Sequence, residues 1–89
     1  MRAPSYTKQF ERDLRLMIKR NKDIEKIKTV IASLIDGEAL PERYRDHILV
    51  GIYKGRRECH IQADRLLVYK LTEDEIIFER TGAHADLFR

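Results

Sequence analysis

Apolar residues in the first third of the chain recur with a helical period. Phe10, Leu14, Met17 and Ile18 follow one another at spacings of four, three and one, which draws a single stripe along a helix starting near Thr7. Thr7 is a suitable N-cap, and Lys8, Arg12, Arg15 and Lys19 fall largely away from the stripe. Asn21 interrupts this helix. The next run, Ile24, Ile27, Val30, Ile31, Leu34 and Ile35, has the cleanest periodicity in the chain and defines a second apolar face. Gly37 suits a left-handed C-cap, and Pro41 blocks continuation. Two amphipathic helices meeting at Asn21 form a hairpin that needs an apolar surface to cover.

The period then changes from helical to alternating. Residues 38–55 read as a loop closing in the turn Gly51-Ile52-Tyr53-Lys54-Gly55. Arg57 to Ile61 alternate, with Cys59 and Ile61 on one face and Glu58 and His60 on the other. Ala63-Asp64 is a hairpin turn. Leu66 to Leu71 is apolar on both faces and so predicts a central strand. Thr72 to Glu75 form a second polar turn, and Ile76 to Arg80 a third strand. Residues 3–6 predict an edge strand, where Pro4 is tolerated. Helices followed by short-loop strands imply an α+β fold: an N-terminal helical hairpin on a small antiparallel sheet. No repeat, linker or low-complexity segment divides the chain, so residues 1–89 form one domain.

Composition narrows the setting. The apolar fraction of 43% is ordinary for a folded chain, and its patterning argues against disorder. Charge is heavy at 37%, the net charge is +3, and the pI near 9.2 is compatible with a polyanionic partner or a well-solvated surface. Cys59 is the single cysteine, which excludes an internal disulfide and points to a reducing compartment. No apolar run approaches the roughly 20 residues of a membrane span, and the N-terminus lacks a signal-peptide core. Cytoplasmic residence without membrane attachment is the expectation.

Candidate chemistry gathers around three histidines in polar settings: His47 after Tyr44-Arg45-Asp46, His60 after Arg56-Arg57-Glu58-Cys59, and His84 in the closing stretch Arg80 to Phe88. An aromatic and a histidine in that stretch suggest a docked tail, although terminal residues usually fray. A solvated surface accounts for each histidine taken alone. A metal site lacks HxxxH or CxxC spacing, and adjacent Cys59 and His60 point to opposite strand faces. A Cys59 nucleophile would need exposure beside a base, whereas the alternation turns it towards the core with Ile61. The third chemistry is RNA cleavage by the 2′-hydroxyl. Histidine suits both proton transfers, an arginine such as Arg57 or Arg80 suits the charged transition state, and an aromatic such as Phe88 can stack on a base. Asp64 would orient an imidazole or act as a base.

The set Asp46-His47, Gly51, Lys54-Gly55, Arg57-Glu58-Cys59-His60, Asp64, Leu67 to Leu71 and Phe78 to Phe88 resembles the YafQ branch of the RelE/ParE toxin superfamily. So does the opening Ser5 to Asp13, and the likeness covers essentially the whole chain. It implies a RelE-like α+β toxin that cleaves mRNA, typically on the ribosome, without metal or other cofactor, and is neutralised by a cognate antitoxin wrapped around it. It further implies His47, His60, Asp64 and His84 as the catalytic set and Phe88 as the terminal aromatic. Some relatives carry tryptophan where this chain has Arg65, which makes Arg65 a phosphate contact rather than a stacking platform. Basic residues on the first helix would then meet rRNA in a salt-sensitive manner. Other relatives on this scaffold bind a topoisomerase and do not cut RNA. Such a binder has no need of three histidines and Asp64.

Overall fold

The computed structural model describes residues 2–20, 24–49, 55–62 and 64–87. The chain opens with β1 (Ala3–Tyr6) and passes through helices α1 (Lys8–Lys19) and α2 (Glu25–Ile35). A 3₁₀ turn (Glu42–Tyr44) leads to a two-residue strand β2 (His47–Ile48). Strands β3 (Arg57–Gln62), β4 (Arg65–Leu71) and β5 (Glu75–Gly82) follow, and a short helix α3 (His84–Leu87) ends the described chain. The strands form one sheet in the order β1-β5-β4-β3-β2, with β4 at its centre.

The two long helices form where their periodicity places them. Thr7 caps α1: its hydroxyl accepts from the Phe10 N–H and donates to the Glu79 carbonyl at 2.9 Å, which ties the helix start to β5. Phe10 and Met17 of α1, with Ile27, Val30 and Leu34 of α2, are buried. Phe10 and the three α2 residues meet Cys59, Ile61, Leu67, Tyr69, Ile76 and Phe78 on the sheet, where Phe10 and Phe78 lie 6.1 Å apart between ring centroids. Ile18 leaves the expected stripe and is 51% exposed. It sits one position past buried Met17, which turns it about 100° off the sheet-facing side. Gly37 takes the left-handed conformation expected after α2, with φ 77°.

Three features depart from the sequence reading. The sheet is mixed, because β1 runs parallel to β5 while β2 to β5 are antiparallel. The helical hairpin carries the chain away from β1, and β5 later returns beside it in the same direction. The stretch read as loop from 38 to 55 contains the 3₁₀ turn and β2, a strand too short to carry a period. Finally, β5 runs to Gly82 and hands over to α3. Gly82 has φ 152°, a conformation that L side chains rarely adopt, and α3 folds back against the sheet there. Leu87 is buried against Leu66 and Val68, so the tail is docked. The expected junction at Asn21, the turn at 51–54 and the turn residue Ala63 lie outside the described residues.

Candidate active site

Strand alternation gives the sheet a second face. Cys59 and Ile61 turn towards the helices, so Glu58 and His60 turn the other way. His60 pairs with Leu66, the residue on which Leu87 of α3 packs, so the tail and His60 share this open face. A cross-strand row runs across it: His47 on β2 pairs with Glu58, Glu58 with Val68, and Val68 with Arg80. Neighbours that the sequence scatters are thus set side by side.

Glu58 is the centre of the group. Its residue is only 6% exposed, and its Oε2 lies 3.1 Å from His47 Nε2 and 3.8 Å from His60 Nε2. Its Oε1 is buried with no hydrogen-bond partner among the described residues. The two imidazole rings are 6.2 Å apart. Arg45 adopts a left-handed backbone conformation, φ 47°, uncommon for a side-chain-bearing residue, and its carbonyl lies 2.5 Å from His47 Nδ1. A carbonyl only accepts, so Nδ1 donates in this contact and Nε2 is left facing Glu58. With a proton between His47 Nε2 and Glu58 Oε2, the two contacts fix the His47 ring. Glu58 was missing from the candidates read in the sequence; its place in the alternation beside His60 was visible there, but not its burial.

The remaining candidates have distinct positions. Asp64 accepts from the His84 backbone N–H at 3.4 Å, which holds the first residue of α3 beside the β3–β4 turn. Arg57 points with the helix-facing set. Its Nε donates to Asp46 Oδ1 at 3.2 Å, and the Tyr69 hydroxyl donates to the same oxygen at 2.6 Å. Burial pulls the Arg57 pKa down, but the interactions of its guanidinium with Tyr69 and Asp46 together outweigh this and raise it overall, so the guanidinium stays charged. Burial, with Asp46 as acceptor, pushes the Tyr69 phenol up. Arg80 is bonded to Asp13 of α1 at 2.8 Å and keeps 24% of its side chain exposed. Asp13 also accepts from Thr81 N–H, on the part of the β5 edge that β1 does not reach. Arg65 opens β4 and is half-buried. Phe88 lies outside the described residues.

Two rival chemistries change standing. Cys59 is fully buried, and burial pushes its thiol pKa up to about 12, which leaves no nucleophilic thiolate at neutral pH. The metal reading, weak on sequence spacing, meets three convergent ligand atoms: His47, Glu58 and His60 offer donors within 4.8 Å of one another. Cys59 is not among them. His47 also has the support typical of a metal-ligating histidine, its far nitrogen bonded to a carbonyl.

Comparison with known proteins identifies the family. Residues 2–89 match the family model described as bacterial toxin of type II toxin-antitoxin system, YafQ. The chain is 45% identical over 84 residues to the mRNA interferase toxin YafQ of Escherichia coli strain K12, covering 93% of this chain and 91% of that protein. Its structure is similar to the toxin in the E. coli DinJ-YafQ toxin-antitoxin complex, with a TM-score of 0.93, 44% identity and coverage of 99% and 98% of the two chains. It is also similar to a metal-bound toxin from Helicobacter pylori, with a TM-score of 0.91, 34% identity and coverage of 99% and 100%. Family model, whole-length sequence match and fold likeness converge, and the chain belongs to the YafQ family of type II toxin–antitoxin toxins.

Proposed function

We propose that this toxin is an mRNA interferase whose open sheet face cleaves RNA by acid–base catalysis. The similar E. coli YafQ is named an mRNA interferase, and none of the relatives named above favours the topoisomerase-binding alternative. The observation that carries the mechanism is the convergence of His47, Glu58 and His60 on the face where the tail bearing His84 docks.

In this mechanism one of His60 and His84 takes the proton of the RNA 2′-hydroxyl, and the 2′-oxygen attacks the adjacent phosphorus. The bond from phosphorus to the 5′-oxygen breaks, and the other histidine protonates that leaving oxygen. The products are a 2′,3′-cyclic phosphate and a 5′-hydroxyl. Glu58 acts as a positioning residue, bracing His47 and His60 from below. Asp64 holds the start of α3 and with it His84. Arg80, in the same cross-strand row as Glu58, stabilises charge on the phosphorane-like transition state, with Arg65 as a further phosphate contact. Arg57 acts indirectly, through Asp46, on the segment that carries His47. Phe88 supplies a stacking surface at the end of the chain.

Catalysis of this kind needs no metal. An ion held by His47, Glu58 and His60 would engage the lone pairs required for proton transfer, so it would act as an inhibitor. The ribosome-bound message is the proposed substrate and a cognate antitoxin the proposed restraint; the similar E. coli toxin is found in the DinJ-YafQ toxin-antitoxin complex. No described helix is long and apolar enough to cross a membrane. Exposed Arg12 and Arg15 on α1 supply a salt-sensitive contact to rRNA. The test is cleavage of end-labelled mRNA with and without ribosomes. Cuts that depend on ribosomes and weaken on charge reversal at Arg12 and Arg15 are expected; no cuts from folded protein under either condition would refute the reading.

A further inference from the structure

Beside the histidine group lies a cavity of about 720 Å³ that the proposed proton transfers do not use. Its volume is within the range of small-molecule sites. Because β2 pairs only with Arg57 and Glu58, the β3 edge is open beyond them, and the cavity sits between that edge, the first turns of α2 and the 3₁₀ turn. His60 is part of its wall. Lys26, Arg43 and Arg45 bring three cations to it, Tyr44 an aromatic ring, and Gln62 an amide at the strand end. The acidic residue on its rim, Glu25, is 3.6 Å from Lys28 on the same helix.

The wall has a planar element already assembled. The Arg43 guanidinium lies over the Tyr44 ring, 5.0 Å from its centroid, and its Nη2 donates to the Tyr44 hydroxyl at 3.3 Å. Tyr44 in turn packs against the main core, so the stack has a fixed base. Aromatic rings and arginine planes are the surfaces on which proteins stack unpaired RNA bases. Arg45 links the two regions, since it lines the cavity and its carbonyl holds His47.

We propose that this cavity binds the nucleotide next to the scissile phosphate: its base stacks on the Arg43–Tyr44 pair and its phosphate meets Lys26 and Arg45. The inference rests on the ribonuclease reading for the identity of the ligand and adds a specificity-determining subsite to it. Gln62 is placed to read a base edge, so the preferred nucleotide is set here as well as at the catalytic histidines.

The test separates binding from cleavage. Isotope-labelled protein is titrated with each of the four nucleoside 3′,5′-bisphosphates and, in parallel, with inorganic phosphate, while the amides of residues 43–45 and 62 are followed by NMR. Saturable shifts with at least one nucleotide are expected, weaker by roughly ten- to a hundredfold in Arg43→Lys and Tyr44→Leu and retained in Tyr44→Phe. Arg43→Lys keeps the charge at an exposed site, and Tyr44→Leu keeps apolar packing, so neither result depends on unfolding. No saturable shift, or equal affinity for inorganic phosphate, would overturn the subsite. In the mRNA assay, Arg43→Lys should raise KM with kcat little changed. A parental KM and cut pattern in an active enzyme would overturn the subsite and leave the ribonuclease reading standing. Nucleotide binding at these residues in a protein that cuts no RNA would sustain the subsite and remove that reading.

Discussion

The two faces of the same three strands have opposite characters. On the helix side, Cys59, Ile61, Leu67, Tyr69, Ile76 and Phe78 join Phe10 and the α2 residues in a closed apolar core. On the open side, a much smaller cluster of Leu66, Val68 and Leu87 leaves room for a buried carboxylate with one oxygen unpaired among the described residues and two histidines leaning on the other. A single residue of register separates Glu58 from Cys59, yet one side is built to exclude water and the other to hold titratable groups near it. An orphaned buried acceptor costs stability, and in this fold that cost falls on the face proposed to do the chemistry. Stability and reactivity are thus divided across one sheet instead of competing within one site.

That division can be broken by substitution. His60→Ala, on the open face, should lower mRNA cleavage by roughly 10²–10⁴-fold while thermal unfolding barely moves; a large fall in melting temperature would blur the two faces. Phe78→Ala, on the helix face, should cost about 3–5 kcal/mol in denaturant unfolding, because it empties the centre of the core. Glu58→Gln sharpens the contrast: the amide keeps the shape of the buried side chain, so stability should stay within about 1 kcal/mol of the parent, yet cleavage should slow because the contacts to His47 and His60 change. The smallest effect belongs to Cys59, which should resist alkylation at pH 8 until the protein unfolds. Its raised pKa favours the folded state only while the unfolded thiol stays protonated. The contribution is therefore full below about pH 9 and fades as pH climbs towards 12. Tyr69 acts in the same direction. Stability measured against pH should fall over that range, less steeply in Cys59→Ala.

How much could be read in advance follows the length of each pattern. The two helices and central β4 were legible because their apolar residues repeat often enough to fix a period, and the alternation correctly turned Cys59 inward and His60 outward. β2 and α3 were not, since two and four residues are too few to show one. Yet those two elements deliver His47 and His84 to the open face. The parallel pairing of β1 with β5 was invisible for another reason: nothing in a strand's own pattern names a partner at the far end of the chain. The histidines stood out by residue type and family likeness. Glu58 did not, because an acidic residue on an alternating strand usually faces solvent, and only the pairing of His47 opposite it reveals the buried group. Arg80 and Arg57 were read as cations for the transition state, and their carboxylate partners, Asp13 and Asp46, come from distant segments that the local sequence does not point to.

The central claim, a metal-free acid–base centre on the open face, is tested most directly by analysing the ends of cut mRNA. Parent and His84→Ala are compared on ribosome-bound message, with and without EDTA, after circular dichroism has matched their folds. The account predicts 2′,3′-cyclic phosphate ends from the parent, undiminished by EDTA, and a rate lowered by roughly 10²–10⁴-fold in the variant. Cleavage abolished by the chelator, or full activity in folded His84→Ala, would contradict it.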